Sequence, residues 1–212
     1  MSQIEKIIDK SLWNRREHFE HFSAFDDPFF GVTVNVDCTG IYRRAKEKGL
    51  SFSLLLLHRI ITTACQIEEF RYRIEGDDIV CYDNLVPEVT VARADHTFSF
   101  ASFEYNTDEE VFIQKANREM ERLQHTSGLN KGGASHPNAI HYSAVPWLTF
   151  TDMKHPSNIR SNDSIPKIST GKFFREGERV LIPISITCHH GLMDGYHISQ
   201  LVEKLNQRDE SL

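Results

Sequence analysis

The chain has 212 residues, of which 40% are hydrophobic and 14 are Phe, and its formal net charge at pH 7 is −6. This suits one domain, residues 1–212, with a substantial core. Because the sequence has no apolar run of about 18 residues, no apolar core of a signal peptide and no basic patch, we expect no membrane span, no secretion and no nucleic-acid partner, and the cytoplasm as the compartment.

The first predicted element is a helix near the N-terminus. Ser11 is expected to cap it, and it should run to about Phe22, because Leu12, Arg15, Phe19 and Phe22 recur at spacings of three and four. Arg15 therefore stands within an apolar stripe. A guanidinium in that position either reaches water along its aliphatic stem or requires a carboxylate partner.

Beyond residue 30, helices and strands alternate. Thr39 and Ser51 are expected to cap two helices, the second apolar almost all round and so buried. A capping box over Thr107–Glu110 predicts a helix to about Leu123, followed by a Gly- and Ser-rich loop over residues 125–137. Strands are predicted over residues 31–37, 71–75, 79–82, 88–94, 98–105, 139–145, 167–174 and 180–189. This order predicts one α+β domain.

The last predicted strand carries the densest group of reactive side chains. Along residues 180–190 the side chains alternate between two faces, so His190 falls on the more apolar face and His189 on the other. Gly195 ends the turn that follows, and apolar spacing from Ile198 onward predicts a helix. An imidazole, which titrates near neutral pH, is thus held at a strand end above a turn.

Three interpretations of this segment are open. Its histidines are ordinary, partly buried side chains, or they belong to a metal site, or His190 is a general base with Asp194 as an orienting or structural carboxylate. The residue types of the metal interpretation suit zinc: Cys188, His189, His190, Asp194 and His197. Neighbours on a strand point to opposite faces, however, which counts against a shared metal ion.

The same residues resemble a known family. His189-His190-Gly-Leu-Met-Asp194-Gly195 matches the His-His-x-x-x-Asp-Gly motif of coenzyme A-dependent acyltransferases. Three other segments, 13–19, 143–147 and 166–173, are similar in the same order to the chloramphenicol acetyltransferase family. Four ordered matches span nearly the whole chain. The resemblance implies a two-layer sandwich, in which helices are packed on one side of a mixed sheet.

The resemblance also implies an activity. Members of the family move an acetyl group from acetyl-coenzyme A, a co-substrate, to a hydroxyl of chloramphenicol, with no bound cofactor and no metal. They are homotrimers whose active sites lie between subunits. In this chain, His190 of one subunit would therefore face Ser143 of its neighbour.

The resemblance assigns roles residue by residue. His190 is implied as the general base and Ser143 as the donor to the oxyanion, while Ser169 stands where the family carries a Thr that helps to order the transition state. The remaining assignments are an ion pair of Arg15 with Asp194, acceptor-pocket aromatics, and positions near the coenzyme A tunnel. The aromatics are Phe22 and Phe98; the tunnel positions are Lys172 and Phe173.

Some segments depart from the family pattern. Asp26-Asp27-Pro28 is less apolar than the family at this position, and the loop over residues 125–137 matches poorly. Another hydroxyl or thiol acceptor therefore stays open beside chloramphenicol. Two rival functions are the acyltransferase core of a 2-oxo acid dehydrogenase complex, which the length and the lack of a lipoyl domain disfavour, and a non-enzymatic ligand- or metal-binding module on the same fold.

Overall fold

The main sheet of the protein has seven strands. The computed structural model describes residues 3–130, 136–156 and 163–207. The strands of the main sheet are β2 (Phe29–Asp37), β5 (Val86–Ala92), β6 (Phe98–Ser102), β7 (Ala139–Ala144), β8 (Lys167–Thr170), β9 (Phe174–Glu176) and β10 (Arg179–His189). Six of these strands lie in the order β2-β10-β8-β7-β5-β6, and β9 pairs with β10. The pairs β5–β7 and β7–β8 are parallel and the others antiparallel, so the sheet is mixed, as predicted.

Four helices cover one face of this sheet. They are α2 (Thr39–Lys48), α3 (Phe52–Cys65), α4 (Glu109–Gln124) and α5 (Gly195–Asn206). Their apolar side chains form one core with every second residue of the strands, including Ile168, Ile184 and Ile186. The predicted α+β sandwich with helices on one side is confirmed. The opposite sheet face, called here the outer face, carries the intervening residues, including Ser143, Ser169 and Ser185.

A second, smaller sheet supports the N-terminal helix. It has the order β1-β4-β3 and consists of β1 (Ile4–Ile7), β3 (Tyr72–Glu75) and β4 (Asp78–Tyr82). A separate apolar cluster joins this sheet to helix α1 (Arg16–Phe22) and to Leu192, which lies just beyond β10. Trp13 and Phe19 belong to the same cluster. This packing holds α1 beside the end of β10.

Several predicted boundaries differ from the structure. Ser11 caps no helix, because Asp9 Oδ1 accepts its N–H and hydroxyl, and α1 begins only at Arg16. Helix α2 includes Thr39, whose hydroxyl accepts the N–H of Val180 instead of capping. The cap of α4 is Asp108, one residue after the predicted Thr107, since the Asp108 carboxylate accepts two of the helix's first N–H groups.

The strand predicted over 167–174 is two strands, β8 and β9, interrupted at Gly171. A Cβ added to Gly171 would lie 2.6 Å from Pro183 Cγ and 2.8 Å from Leu148 O, so only glycine fits this close approach. Part of the 125–137 loop, residues 131–135, lies outside the described residues. Of the helices in the described ranges, none combines the length and apolarity needed to cross a bilayer.

Candidate active site

His190 follows the last residue of β10 and lies among aromatic rings. Its N–H donates to Pro28 O at 2.8 Å, which fixes the backbone at the strand end. The imidazole stacks on Phe22 with ring centroids 3.9 Å apart and planes at 10°, and Phe30 lies 4.4 Å away. Its Nδ1 is buried and has no hydrogen-bond partner among the residues described. The ring is thus a half-buried imidazole held by stacking.

His189 faces the other way and is buried. Its Nδ1 accepts the N–H of Gly191 at 3.2 Å. Burial lowers the pKa of His189 from 6.5 to about 4, so the ring is neutral at pH 7. A Cβ on Gly191 would lie 3.0 Å from His189 Cε1 and 3.1 Å from Phe19 Cα, which explains the glycine after the two histidines.

The low pKa of His189 predicts acid sensitivity. Above pH 6.5 the ring is neutral in both states, but as the pH falls toward 4 only the unfolded chain gains the proton, so stability is lost. In His189→Asn, whose amide oxygen can still accept the N–H of Gly191, melting temperature should fall less between about pH 7 and pH 4. Burial also lowers the pKa of His58 and His155, so part of the decrease in melting temperature should remain in His189→Asn.

The matched control for this measurement is His125→Asn, because His125 is exposed at the end of α4. Its melting curves should follow the wild-type slope. Equal slopes for wild type and His189→Asn would show that His189 does not contribute to the acid sensitivity.

An ion pair lies beneath the turn that follows His190. Arg15 Nη1 donates to Asp194 Oδ2 at 2.7 Å, and Arg15 Nη2 donates to His190 O at 3.2 Å. The Arg15 side chain is 10% exposed and that of Asp194 33%. Burial of the Asp194 carboxyl opposes its ionisation, but the Arg15 hydrogen bond and charge outweigh burial, and the pKa of Asp194 is lowered. The pair thus ties the start of α1 to the start of α5.

Asp194 also begins helix α5. Its Oδ1 accepts the N–H of Tyr196 at 3.0 Å. The neutral ring of His197 accepts the Asp194 N–H through Nδ1 at 3.1 Å, whereas the protonated ring instead donates to Asp194 Oδ1 at 3.0 Å. Burial opposes protonation of His197, but the hydrogen bond and charge of Glu69 outweigh it and raise the pKa of His197. The turn from His190 to α5 is therefore held by the Arg15–Asp194 pair and by the capping contacts between Asp194 and His197.

Ser143 and Ser169 lie side by side on the outer face. They are register partners on β7 and β8, and Ser169 is also the partner of Ser185 on β10. The hydroxyls of Ser143 and Thr90 share a hydrogen bond of 2.9 Å. Ser169 is fully buried, and its Oγ lies 2.8 Å from His155 Nε2. A row of hydroxyls therefore crosses the outer face.

Within one chain, His190 and Ser143 are not brought together. Ser143 is two strands from Ser185, or roughly 10 Å, and His190 is five residues beyond Ser185, or roughly 16 Å along β10. The faces also differ, because His190 continues the helix-covered face of Cys188 while Ser143 lies on the outer face. A single chain thus holds the His190 imidazole and the Ser143 hydroxyl at separate places.

The aromatic and tunnel residues are separated in the same way. Phe98 lies on β6, four strand spacings or about 19 Å from β10, whereas Phe22 contacts His190 at the other edge of the sheet. Lys172 and Phe173 lie just before β9, beside the beginning of β10 and far from His190. The Phe173 ring lies between 5 and 6 Å from those of Tyr42 and Phe52.

A family model described as chloramphenicol acetyltransferase matches residues 5–206. The chain belongs to the chloramphenicol acetyltransferase family. Chloramphenicol acetyltransferase 2 of Escherichia coli is 31% identical over 201 residues, covering 93% of each chain. A solved structure named chloramphenicol acetyltransferase is 32% identical and covers 97% of this chain and 98% of its own, with a TM-score of 0.87. The predicted resemblance and enzyme class are confirmed at the level of the family.

A more distant solved structure shares the fold alone. It is the dihydrolipoamide acetyltransferase of Azotobacter vinelandii, 13% identical, with a TM-score of 0.68 over 96% of this chain and 90% of its own. The two-layer sandwich therefore also occurs outside the chloramphenicol acetyltransferase family. This likeness carries no information about substrate.

Three side chains of the metal interpretation have other partners. Asp194 pairs with Arg15, His197 with Glu69, and His189 accepts a backbone N–H. Among the described residues, no group of three or more His, Cys, Asp or Glu is arranged to hold a metal ion.

Sequence reasoning missed three polar neighbours of the family's hydroxyl positions. Thr90 bonds Ser143, and His155 bridges Ser169 to Thr187. Alternation along β10 already places Thr187 on the outer face, but no pattern marked His155 in its irregular segment.

Asp26 and Asp27 are both exposed, so their carboxylates face solvent.

Proposed function

We propose that this chain transfers the acetyl group of acetyl-coenzyme A to a hydroxyl of chloramphenicol. The observation that carries the proposal is the family match over residues 5–206, together with curated relatives of that name about 30% identical over nearly the full chain. Acetyl-coenzyme A acts as a co-substrate. We also propose that residues 1–212 act as one acyltransferase domain and that the compartment is the cytoplasm.

The proposed reaction is direct acyl transfer. His190 takes the proton of the acceptor hydroxyl, whose oxygen then attacks the thioester carbonyl. Ser143 donates a hydrogen bond to the oxyanion of the tetrahedral intermediate. As the intermediate collapses, the carbon–sulfur bond breaks and the coenzyme A thiolate receives the proton, leaving the acetyl ester. Ser169 is proposed to order the same transition state.

The acceptor is proposed to bind among aromatic rings. Phe22 stacks on His190, which supports a flat apolar surface beside the base, and Phe98 is proposed to complete the pocket. Lys172 and Phe173 are proposed to contact coenzyme A. Lys172 is exposed and Phe173 is partly exposed, so both are accessible to a ligand.

The proposed assembly is a homotrimer with sites between subunits. Its main support is the separation of His190 and Ser143 by both distance and sheet face, because a base and an oxyanion donor must meet at one carbonyl. Large apolar side chains are also exposed near Ser143: Trp147 is 71% exposed and Leu148 60%. Such a patch favours a contact with another subunit.

The direct test of function is release of the coenzyme A thiol. The chain should release thiol from acetyl-coenzyme A only when chloramphenicol is present, with acetylated chloramphenicol as the product. Thiol release with another hydroxyl compound but not with chloramphenicol would show that the reaction is acyl transfer as proposed but that the acceptor is a different compound. No transfer to any hydroxyl or thiol acceptor would favour a binding module.

A mixing experiment tests the assembly. His190→Ala and Ser143→Ala chains, each poorly active alone, should regain roughly a quarter of wild-type activity when they are unfolded and refolded together in equal amounts. In each mixed trimer one of the three junctions joins an intact His190 to an intact Ser143, and random mixing makes such junctions a quarter of all junctions.

The control mixes the two folded variants without subunit exchange. If activity after refolding stays at the control level, either both residues belong to one active site within a single chain or the chains form no ring.

A further inference from the structure

The outer face carries a buried histidine that the proposed mechanism does not use. His155 belongs to residues 145–156, called here the cover segment, which runs from β7 across β8 and β10. Both ring nitrogens are bonded: Nδ1 lies 2.9 Å from Thr187 Oγ1, and Nε2 lies 2.8 Å from Ser169 Oγ. The residue is 8% exposed, although Lys154 and Pro156 on either side are exposed. Its ring is therefore turned onto the sheet.

The three side chains form one hydrogen-bonded chain. For both Ser169 and Thr187, the bond to His155 is the one side-chain hydroxyl bond found within the described ranges. A neutral imidazole has one donor and one acceptor, so in either tautomer the two bonds run in the same direction along the chain. Burial, followed by the charge of Lys167, lowers the pKa of His155 and keeps the ring neutral.

The direction of the hydrogen-bonded chain bears on the proposed reaction because Ser169 lies beside Ser143. Ser143, the proposed oxyanion donor, is its register partner on the next strand, so their Cβ atoms lie on the order of 5 Å apart. Ser169 is fully buried, so within one chain its hydroxyl is not open to a bound acyl acceptor. Its effect on the intermediate is then that of an oriented dipole beside Ser143, and oriented dipoles stabilise an oxyanion only when they are fixed beforehand.

We infer that His155 is a positioning residue for acyl transfer: it fixes the direction of the Ser169 hydroxyl next to Ser143. The inference rests on the proposed function. A second bond ties the same cover segment to the sheet, because Ser185 Oγ donates to Met153 O at 3.1 Å. In the described part of the chain Ser185 makes no hydrogen bond with His155, so it provides a matched control on the same row.

The test is a kinetic double-variant cycle in the full chain. His155→Leu, which removes both ring nitrogens at similar volume, and Ser169→Ala should each lower kcat roughly tenfold, the effect of one hydrogen bond, with little change in KM. The double variant should be no slower than the slower single variant. His155→Gln should recover most of kcat, and Ser185→Ala should match the wild type.

Additive losses in the double variant would overturn the inference, as would an unchanged kcat in His155→Leu whose melting temperature falls. A loss in Ser185→Ala as large as that in Ser169→Ala would show instead that any break in the attachment of the cover segment slows the reaction.

A second readout separates this inference from the proposed function. If the wild-type chain acetylates no chloramphenicol, the proposed function fails, and ¹⁵N NMR of the histidine rings then decides about His155. A single tautomer whose ¹⁵N shifts change in Ser169→Ala but not in Ser185→Ala would support the hydrogen-bonded chain. Averaged tautomers that are indifferent to Ser169 would overturn it.

Discussion

Replacing His190 with alanine should lower acetyl transfer by roughly 10²–10⁴-fold, the range of a lost general base. The side chain contributes stacking with Phe22 and Phe30 but no hydrogen bond found in the described part of the chain, so the melting temperature should change little. The measurement is kcat with acetyl-coenzyme A and chloramphenicol, together with a thermal melt of the same preparation.

The neighbouring histidine provides the comparison. His189→Ala should retain more activity than His190→Ala but lose stability, because His189 is buried and accepts the Gly191 N–H. If His189→Ala were inactive and His190→Ala active, the assignment of the base to the helix-covered face of the sheet would be wrong.

Removing Asp194 should destabilise the chain by on the order of 3 kcal/mol, because the Arg15 guanidinium is then left buried without its carboxylate. The reverse change, Arg15→Met, should cost less, roughly 1–2 kcal/mol, since a third of the Asp194 side chain stays in contact with water. Both changes should also lower the rate, because the pair braces the turn that holds His190.

The contribution of the helix cap to stability must be measured separately from that of the ion pair. Asp194→Asn keeps an oxygen to accept the Tyr196 N–H and removes only the charge, whereas Asp194→Ala loses the cap as well, worth about 1 kcal/mol. Denaturant unfolding of Arg15→Met, Asp194→Asn and the double variant should show coupling above about 1 kcal/mol. Additive effects would mean that the pair does not contribute to stability.

Much of the scaffold follows from local patterns. Ser51 caps α3 as predicted, and α3 is buried almost all round because its Leu and Ile residues cover every side. Side-chain alternation predicts the last strand over residues 180–189, and the structure has it at Arg179–His189. These elements could be predicted because side-chain alternation and capping depend on residues a few positions apart.

Other elements depend on partners far away in the chain. No local pattern predicts strand β1, because all four of its residues are exposed and only pairing with β4 makes it a strand. The strand predicted over 167–174 breaks at Gly171 because Pro183 and Leu148, from two other segments, come too close for a side chain.

The sequence by itself determined the resemblance to the family and the strand end that carries His190, because motifs and side-chain alternation involve residues a few positions apart. The candidate pair of Arg15 with Asp194 followed from that resemblance. Only the tertiary structure decided which side chains meet. It joined His155 to Ser169 and Thr187, and it placed His190 and Ser143 on different faces of one sheet. The physical reason is register: pairing between strands far apart in sequence is selected by packing over the whole sheet, and a shift of one residue would turn every side chain to the other face.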